Sequence, residues 1–77
     1  MKRLTLYQRL KPEVKRNIQK RESEFKHTVD KIYTFLKESD EYNELTINEV
    51  NLLILFSSIR PEDAHDFANG GFAFYKN

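Results

Sequence analysis

The apolar and polar positions divide the chain into segments of helical period. No Gly and no second Pro interrupts residues 12–38. At 100° per residue, Val14, Ile18, Phe25, Val29, Ile32 and Leu36 fall within an arc of about 60°. Such a narrow seam belongs to a helical hairpin or coiled coil rather than to a broad core face. The spacing predicts one long helix, about 40 Å from end to end at 1.5 Å per residue. Pro12 suits its first turn, Glu13 is favourable beside it, and Lys11 is biased away from helical geometry. One step of the seam is charged, because Arg21 and Glu22 flank the position where an apolar residue is expected. That layer reads as an exposed stretch rather than a register-setting pair, since a lone buried ion pair seldom offsets its desolvation.

Before this helix, residues 4–10 read in two ways. Thr5 can cap a short helix in which Leu6 and Leu10 share a face, or Leu4 and Leu6 can alternate as a lead-in strand. After it, residues 38–44 form an acidic, polar connection. Thr46-Ile47-Asn48-Glu49 then makes a capping box directly ahead of an apolar run. A second helix over residues 47–58 follows. Val50, Leu52, Leu53, Ile54, Leu55, Phe56 and Ile59 point almost all the way round it, which predicts burial on several sides. Pro61 opens a short third helix with Glu62 and Asp63 in its first turn, Ala64, Phe67 and Ala68 inside, and Asn69-Gly70-Gly71 as its stop. The tail, residues 72–77, is too aromatic to stay solvated and is expected to fold back on the core or dock on a partner. The expectation is an all-α single domain, residues 1–77, with a long N-terminal helix packed on a buried second helix, a short third helix and an aromatic C-terminal tail.

Composition narrows the function classes. Seventy-seven residues supply one core and no linker. The chain has no Cys, which excludes disulfide scaffolds, thiol nucleophiles and thiolate zinc sites. Its longest apolar run, from Leu52 to Phe56, is far short of the ~20 residues that span a bilayer. Met1-Lys2-Arg3 resembles the start of a signal peptide, but no apolar stretch follows, so a soluble cytoplasmic protein is expected. The net charge of +1 conceals an asymmetry. Residues 1–37 hold eleven Lys/Arg against four Asp/Glu, and residues 38–77 hold two against eight. The bland account of this division is that the halves fold together, or two copies pair antiparallel, and partly neutralise.

Candidate chemistry is sparse. His27 lies on the polar face of the long helix, as a solvated His would. Glu62 and His65 have the Glu-x-x-His spacing of di-iron bundles, but such a site also needs further inward-facing carboxylates, and a three-residue spacing of this kind arises readily by chance. Gly70-Gly71 follows a helix and lacks the Lys-Ser/Thr of a phosphate loop. No metal, cofactor, small-molecule substrate or membrane is expected, and no catalytic role.

Two functional expectations remain. The first is a non-catalytic regulator or adaptor that binds a protein partner, as a homodimer, with Phe56, Phe72, Phe74 and Tyr75 as aromatic anchors. It rests on the small core, the apolar girth of the second helix, and a seam longer than that helix can cover. The rival is a nucleic-acid-binding accessory protein using the basic segment of residues 9–21: Arg9, Lys11, Lys15, Arg16, Lys20 and Arg21. Against it, these bases scatter around the helix, and no short helix–turn–helix spacing or RNA-binding motif is present.

Overall fold

A computed structural model describes residues 4–40, 45–64 and 73–75. They are mostly helical and hold no strand. In chain order they form α1 (Leu6–Arg9), α2 (Pro12–Gln19), α3 (Lys26–Glu38) and α4 (Ile47–Ser57), followed by a 3₁₀ turn over Pro61–Asp63. Helix α1 packs on α3, α2 packs on α4, and α3 packs on α4.

The long helix expected over residues 12–38 is two helices, and the break falls on the charged layer of the seam. A straight helix of that span would measure about 40 Å, whereas the whole molecule extends 36 Å along its longest axis. Residues 20–24 contain no apolar side chain that a straight continuation could bury. The break costs little hydrogen bonding. The Arg21 and Glu22 amides donate to the Ile18 and Gln19 carbonyls at 3.1 and 3.0 Å, and the Phe25 amide donates to the Arg21 carbonyl at 2.8 Å. This is the tightened, 3₁₀-like winding that commonly ends a helix.

The break changes the fate of the seam. Val14, Ile18, Val29, Ile32 and Leu36 are all fully buried inside this one chain, so these five leave nothing over for a second copy. Phe25, at the turn, is the member that comes out, 43% exposed. With Leu6, Leu10, Phe35, Leu53, Phe56, Ala64, Phe74 and Tyr75, the five buried seam residues form one core cluster.

At the N-terminus the helical reading of residues 4–10 holds. The Gln8 amide donates to the Thr5 hydroxyl at 3.2 Å, and the Thr5 amide donates to Gln8 Oε1 at 2.8 Å, which closes a capping box. Leu6 and Leu10 share the buried face. Both ends of α1 are tied to distant chain. The Leu6 amide donates to the Ser39 carbonyl at 2.8 Å, and the Lys11 amide donates to the Phe74 carbonyl at 2.8 Å. Thr5 pairs antiparallel with Asp40, and Leu10 with Tyr75, as single-residue bridges.

Helix α4 begins at the expected box, with the Glu49 amide donating to the Thr46 hydroxyl at 3.2 Å and the Thr46 amide to Glu49 Oε1 at 2.8 Å. It ends at Ser58, which sits in the left-handed region at φ 63°. Its burial differs from the all-round burial expected. Val50, Leu53, Phe56 and Ser57 are inside, Leu52 and Ile54 are half-buried, and Ile47 and Leu55 face solvent at 64% and 62% exposure. Among the described residues, the elements recorded as packing on α4 are α2 and α3. The third helix expected from Pro61 appears as the turn over Pro61–Asp63. The rest of that expectation, with Phe67, Ala68 and the Asn69-Gly70-Gly71 stop, lies outside the described residues.

Replacing Thr46 by Ala removes a cap on the core helix and is expected to lower the unfolding free energy by about 1 kcal/mol. Ile32→Ala empties a fully buried site and is expected to cost about 2–5 kcal/mol. Urea titration followed by circular dichroism reads both, and an Ile32→Ala loss no larger than that of Thr46→Ala would contradict the packing described.

Candidate interaction surface

The residues expected to anchor a partner are occupied within the chain. Phe56, Phe74 and Tyr75 are core residues, 5%, 1% and 3% exposed, and Phe72 lies outside the described residues. The Phe56 ring meets Phe25 edge-on at 5.5 Å between centroids, and Phe74 meets Tyr75 at 6.1 Å.

The six bases of residues 9–21 divide into two groups. The Arg9 guanidinium lies 5.5 Å from the centroid of Tyr75, Lys15 Nζ lies 4.5 Å from Tyr7, and Arg21 lies 5.9 Å from Phe56. Arg21 also donates from Nη2 to the Ser58 hydroxyl at 3.2 Å. These three serve as cations over ring faces, each contact contributing about 0.5–1 kcal/mol. Lys11 is half-buried, and Arg16 and Lys20 are exposed. On the α2 wheel Arg16 and Lys20 lie within about 40° of each other, with Glu13 beside Lys20. The outward set is thus two bases and one acid. Lys37 adds a further cation–ring contact, 5.0 Å from Tyr7, whose ring meets Tyr33 edge-on.

Among the described residues, Arg60 pairs with Asp63 at 3.1 Å and with Glu62 at 3.7 Å, within the acidic half. The link between α2 and α4 is polar and neutral: Asn17 Nδ2 donates to the Ser57 carbonyl at 2.8 Å. Ser57 itself is fully buried and donates its hydroxyl to the Leu53 carbonyl.

Two tyrosine hydroxyls, of Tyr33 and Tyr75, are buried without a hydrogen-bond partner. Burial raises the Tyr33 pKa above the usual value near 10, with Tyr7, Glu22 and Asp30 adding to the shift. The Gln19 side chain opposes that shift without completing a hydrogen bond. Burial raises Tyr75 further, against the Arg9 charge. No group of three or more His, Cys, Asp or Glu that could hold a metal occurs among the described residues. His27 is exposed, and His65 lies outside the described residues. No helix described is long and apolar enough to cross a membrane.

The apolar girth of α4 entered the sequence reading, but the residues of its outer face were not named there. Taking Ile47 as 0°, Asn51 falls at 40°, Leu55 at 80° and Asn48 at 100°, with Ile54 and Leu52 on the flanks. All four are exposed, and the face carries no charge. The helix's one charged residue, Glu49, lies on the other side. The signal was present in the Thr46 cap, which fixes the helical frame. Apolar residues at every angle concealed it, because they made the outer face resemble the inner one. Comparison of the chain with protein-family models, curated proteins and solved structures gives no match, so the functional reading rests on this geometry.

The buried tyrosines give a pH dependence with a definite sign. The charged form of Tyr75 is the deprotonated one, and burial disfavours it, so the folded pKa lies above the unfolded value. Its contribution to stability is complete below about pH 10 and is lost as pH rises through the folded pKa. Tyr75→Phe is expected to flatten the alkaline fall in stability. At about pH 7 it should leave stability unchanged or raise it by about 1 kcal/mol, since no hydrogen bond is lost. Urea titrations between about pH 7 and 11 measure this, and a clear loss at the neutral end would reveal a partner for the hydroxyl.

Proposed function

We propose that this protein is a small, non-catalytic helical regulator or adaptor that works by binding protein, as a homodimer, through the outer face of α4. The observation that supports this reading is the exposure of Ile47 and Leu55 on a charge-free face in a chain with 32% charged residues. A helix surface with no need to bind anything is normally studded with charge, and exposed apolar side chains grouped on one face are a mark of an interaction site. A chain of this size also gains stability readily from association. Three of the aromatic anchors expected from sequence, Phe56, Phe74 and Tyr75, lie in the core rather than on this face. Phe56 holds α4 against the core, and Phe74 and Tyr75 hold the junction of α1 and α2.

The rival reading, nucleic-acid binding by residues 9–21, draws on Arg16 and Lys20, which are exposed and over no ring. Glu13 beside them and the ring contacts of Arg9, Lys15 and Arg21 weigh against a continuous track of phosphate contacts. Such a track would make about 6–10 contacts and lose about 10³–10⁵ in affinity between ~50 and ~200 mM salt.

Light scattering on a sizing column, with and without a short DNA duplex at those two salt concentrations, separates the readings. The expected result is self-association that depends on protein concentration and little on salt, with no DNA complex. Arg16→Glu with Lys20→Glu should leave that association intact. A DNA complex that forms at low salt, releases at high salt and is abolished by the same double substitution would replace the adaptor reading with its rival.

A further inference from the structure

Residues 73–75 cross the junction of α1 and α2 as a short strap. The Lys11 amide donates to the Phe74 carbonyl at 2.8 Å, Leu10 bridges Tyr75, and the Arg9 guanidinium lies 5.5 Å from the centre of the Tyr75 ring. Under these ties Phe74 and Tyr75 are buried in the core cluster with Leu10. The strap therefore covers one edge of the interior. The helices, by contrast, are joined to one another without it. Helix α1 packs on α3, α2 on α4, and α3 on α4. The Leu6 amide ties the start of α1 to the Ser39 carbonyl, at the end of α3, at 2.8 Å. Asn17 of α2 and Arg21 just beyond it reach Ser57 and Ser58 at the end of α4.

Closing the strap also carries a penalty. The Tyr75 hydroxyl is buried without a hydrogen-bond partner, and a polar group left so is stabilised by reaching water. Opening thus returns a hydrogen bond to Tyr75 while it exposes the two rings, which narrows the difference between the closed and open forms. Segments with few ties open locally, at less than the free energy of global unfolding. We propose that residues 73–75 act as a lid that opens and closes over a helical body that stays folded. Closed, the lid hides Leu10, Phe74 and Tyr75. Open, it uncovers all three together, so its position sets how much apolar surface this edge of the molecule presents. The device is independent of the outer face of α4 and of the adaptor reading.

Native-state hydrogen exchange on the full chain, followed by NMR as urea is raised below the unfolding transition, tests the lid. The Lys11 amide reports the strap, and the Leu6 amide reports the opposite end of α1. The Leu36 and Leu53 amides report the interiors of α3 and α4. After correction for intrinsic rates, Lys11 is expected to exchange at least about 10-fold faster than Leu36 and Leu53, with little dependence on urea. Phe74→Ala is expected to strip the Lys11 amide of its protection. In that variant the Leu6, Leu36 and Leu53 amides stay protected and the circular dichroism spectrum stays helical. Equal protection and equal urea dependence at Lys11, Leu36 and Leu53 in the wild type would show one cooperative unit and overturn the lid. Joint loss of protection at Lys11 and Leu6 in Phe74→Ala would do the same, because α1 would then leave with the strap. A Phe74→Ala chain that loses its helical spectrum would show that the body needs the strap, and would also overturn the proposal.

Discussion

The constraint on which the fold depends is that the apolar seam of residues 12–38 is too long to be buried straight. A chain of this size has no partner element of matching length, so the helix breaks where its side chains offer nothing to bury. The break at residues 20–25 lets α2 lie on α4 while α3 packs on both α1 and α4. From this one bend follow the complete burial of Val14, Ile18, Val29, Ile32 and Leu36, the reach of Arg21 to Ser58 and the placing of Phe25 against Phe56. Without the bend, residues of α2 such as Asn17 could not close on the C-terminal end of α4.

The same economy governs charge. The basic half would be costly if its cations crowded one another. In the described residues it meets aromatic rings: Arg9 over Tyr75, Lys15 and Lys37 about Tyr7, and Arg21 over Phe56. Long basic side chains laid over rings cover apolar surface while their heads remain near water. These cations thereby shield the rim of the core. Among the described residues, Ile47 and Leu55 on the neutral face of α4 lack such cover, as does Leu4 near the N-terminus.

Local signals in the sequence proved reliable where their cause is local. The Thr46-Ile47-Asn48-Glu49 box and the Thr5 cap depend on a few neighbouring residues, and both form as read. Pro12 starts α2, as its ring geometry favours. The seam identified five of its six residues correctly as core, Phe25 being the exception, because helical period survives when a helix is cut in two at a position that preserves phase. Period could not reveal the cut, since no Gly or Pro marks it and the i→i+3 winding needs neither. The outer face of α4 was illegible for a related reason. An apolar helix of eleven residues looks the same whether the molecule has elements to place on both sides or only on one, and that depends on the count of elements in the whole chain. The aromatic tail had the converse ambiguity. Ring-rich composition predicts burial, and Phe74 and Tyr75 are buried, but composition alone does not say whether the surface that buries them belongs to the same chain.

The pairing of Leu10 with Tyr75, and of the Lys11 amide with the Phe74 carbonyl, joins positions near opposite ends of the sequence. Closing so long a loop carries an entropy cost that nearby contacts do not. During synthesis, α1 to α4 can gather as they emerge, yet Leu10 stays uncovered on that side until residues 74 and 75 have been made. Until then that edge of the core stays open, and residues 74 and 75 act as the latch that seals it. Loss of the Phe74 and Tyr75 contacts would therefore open that edge of the interior to water.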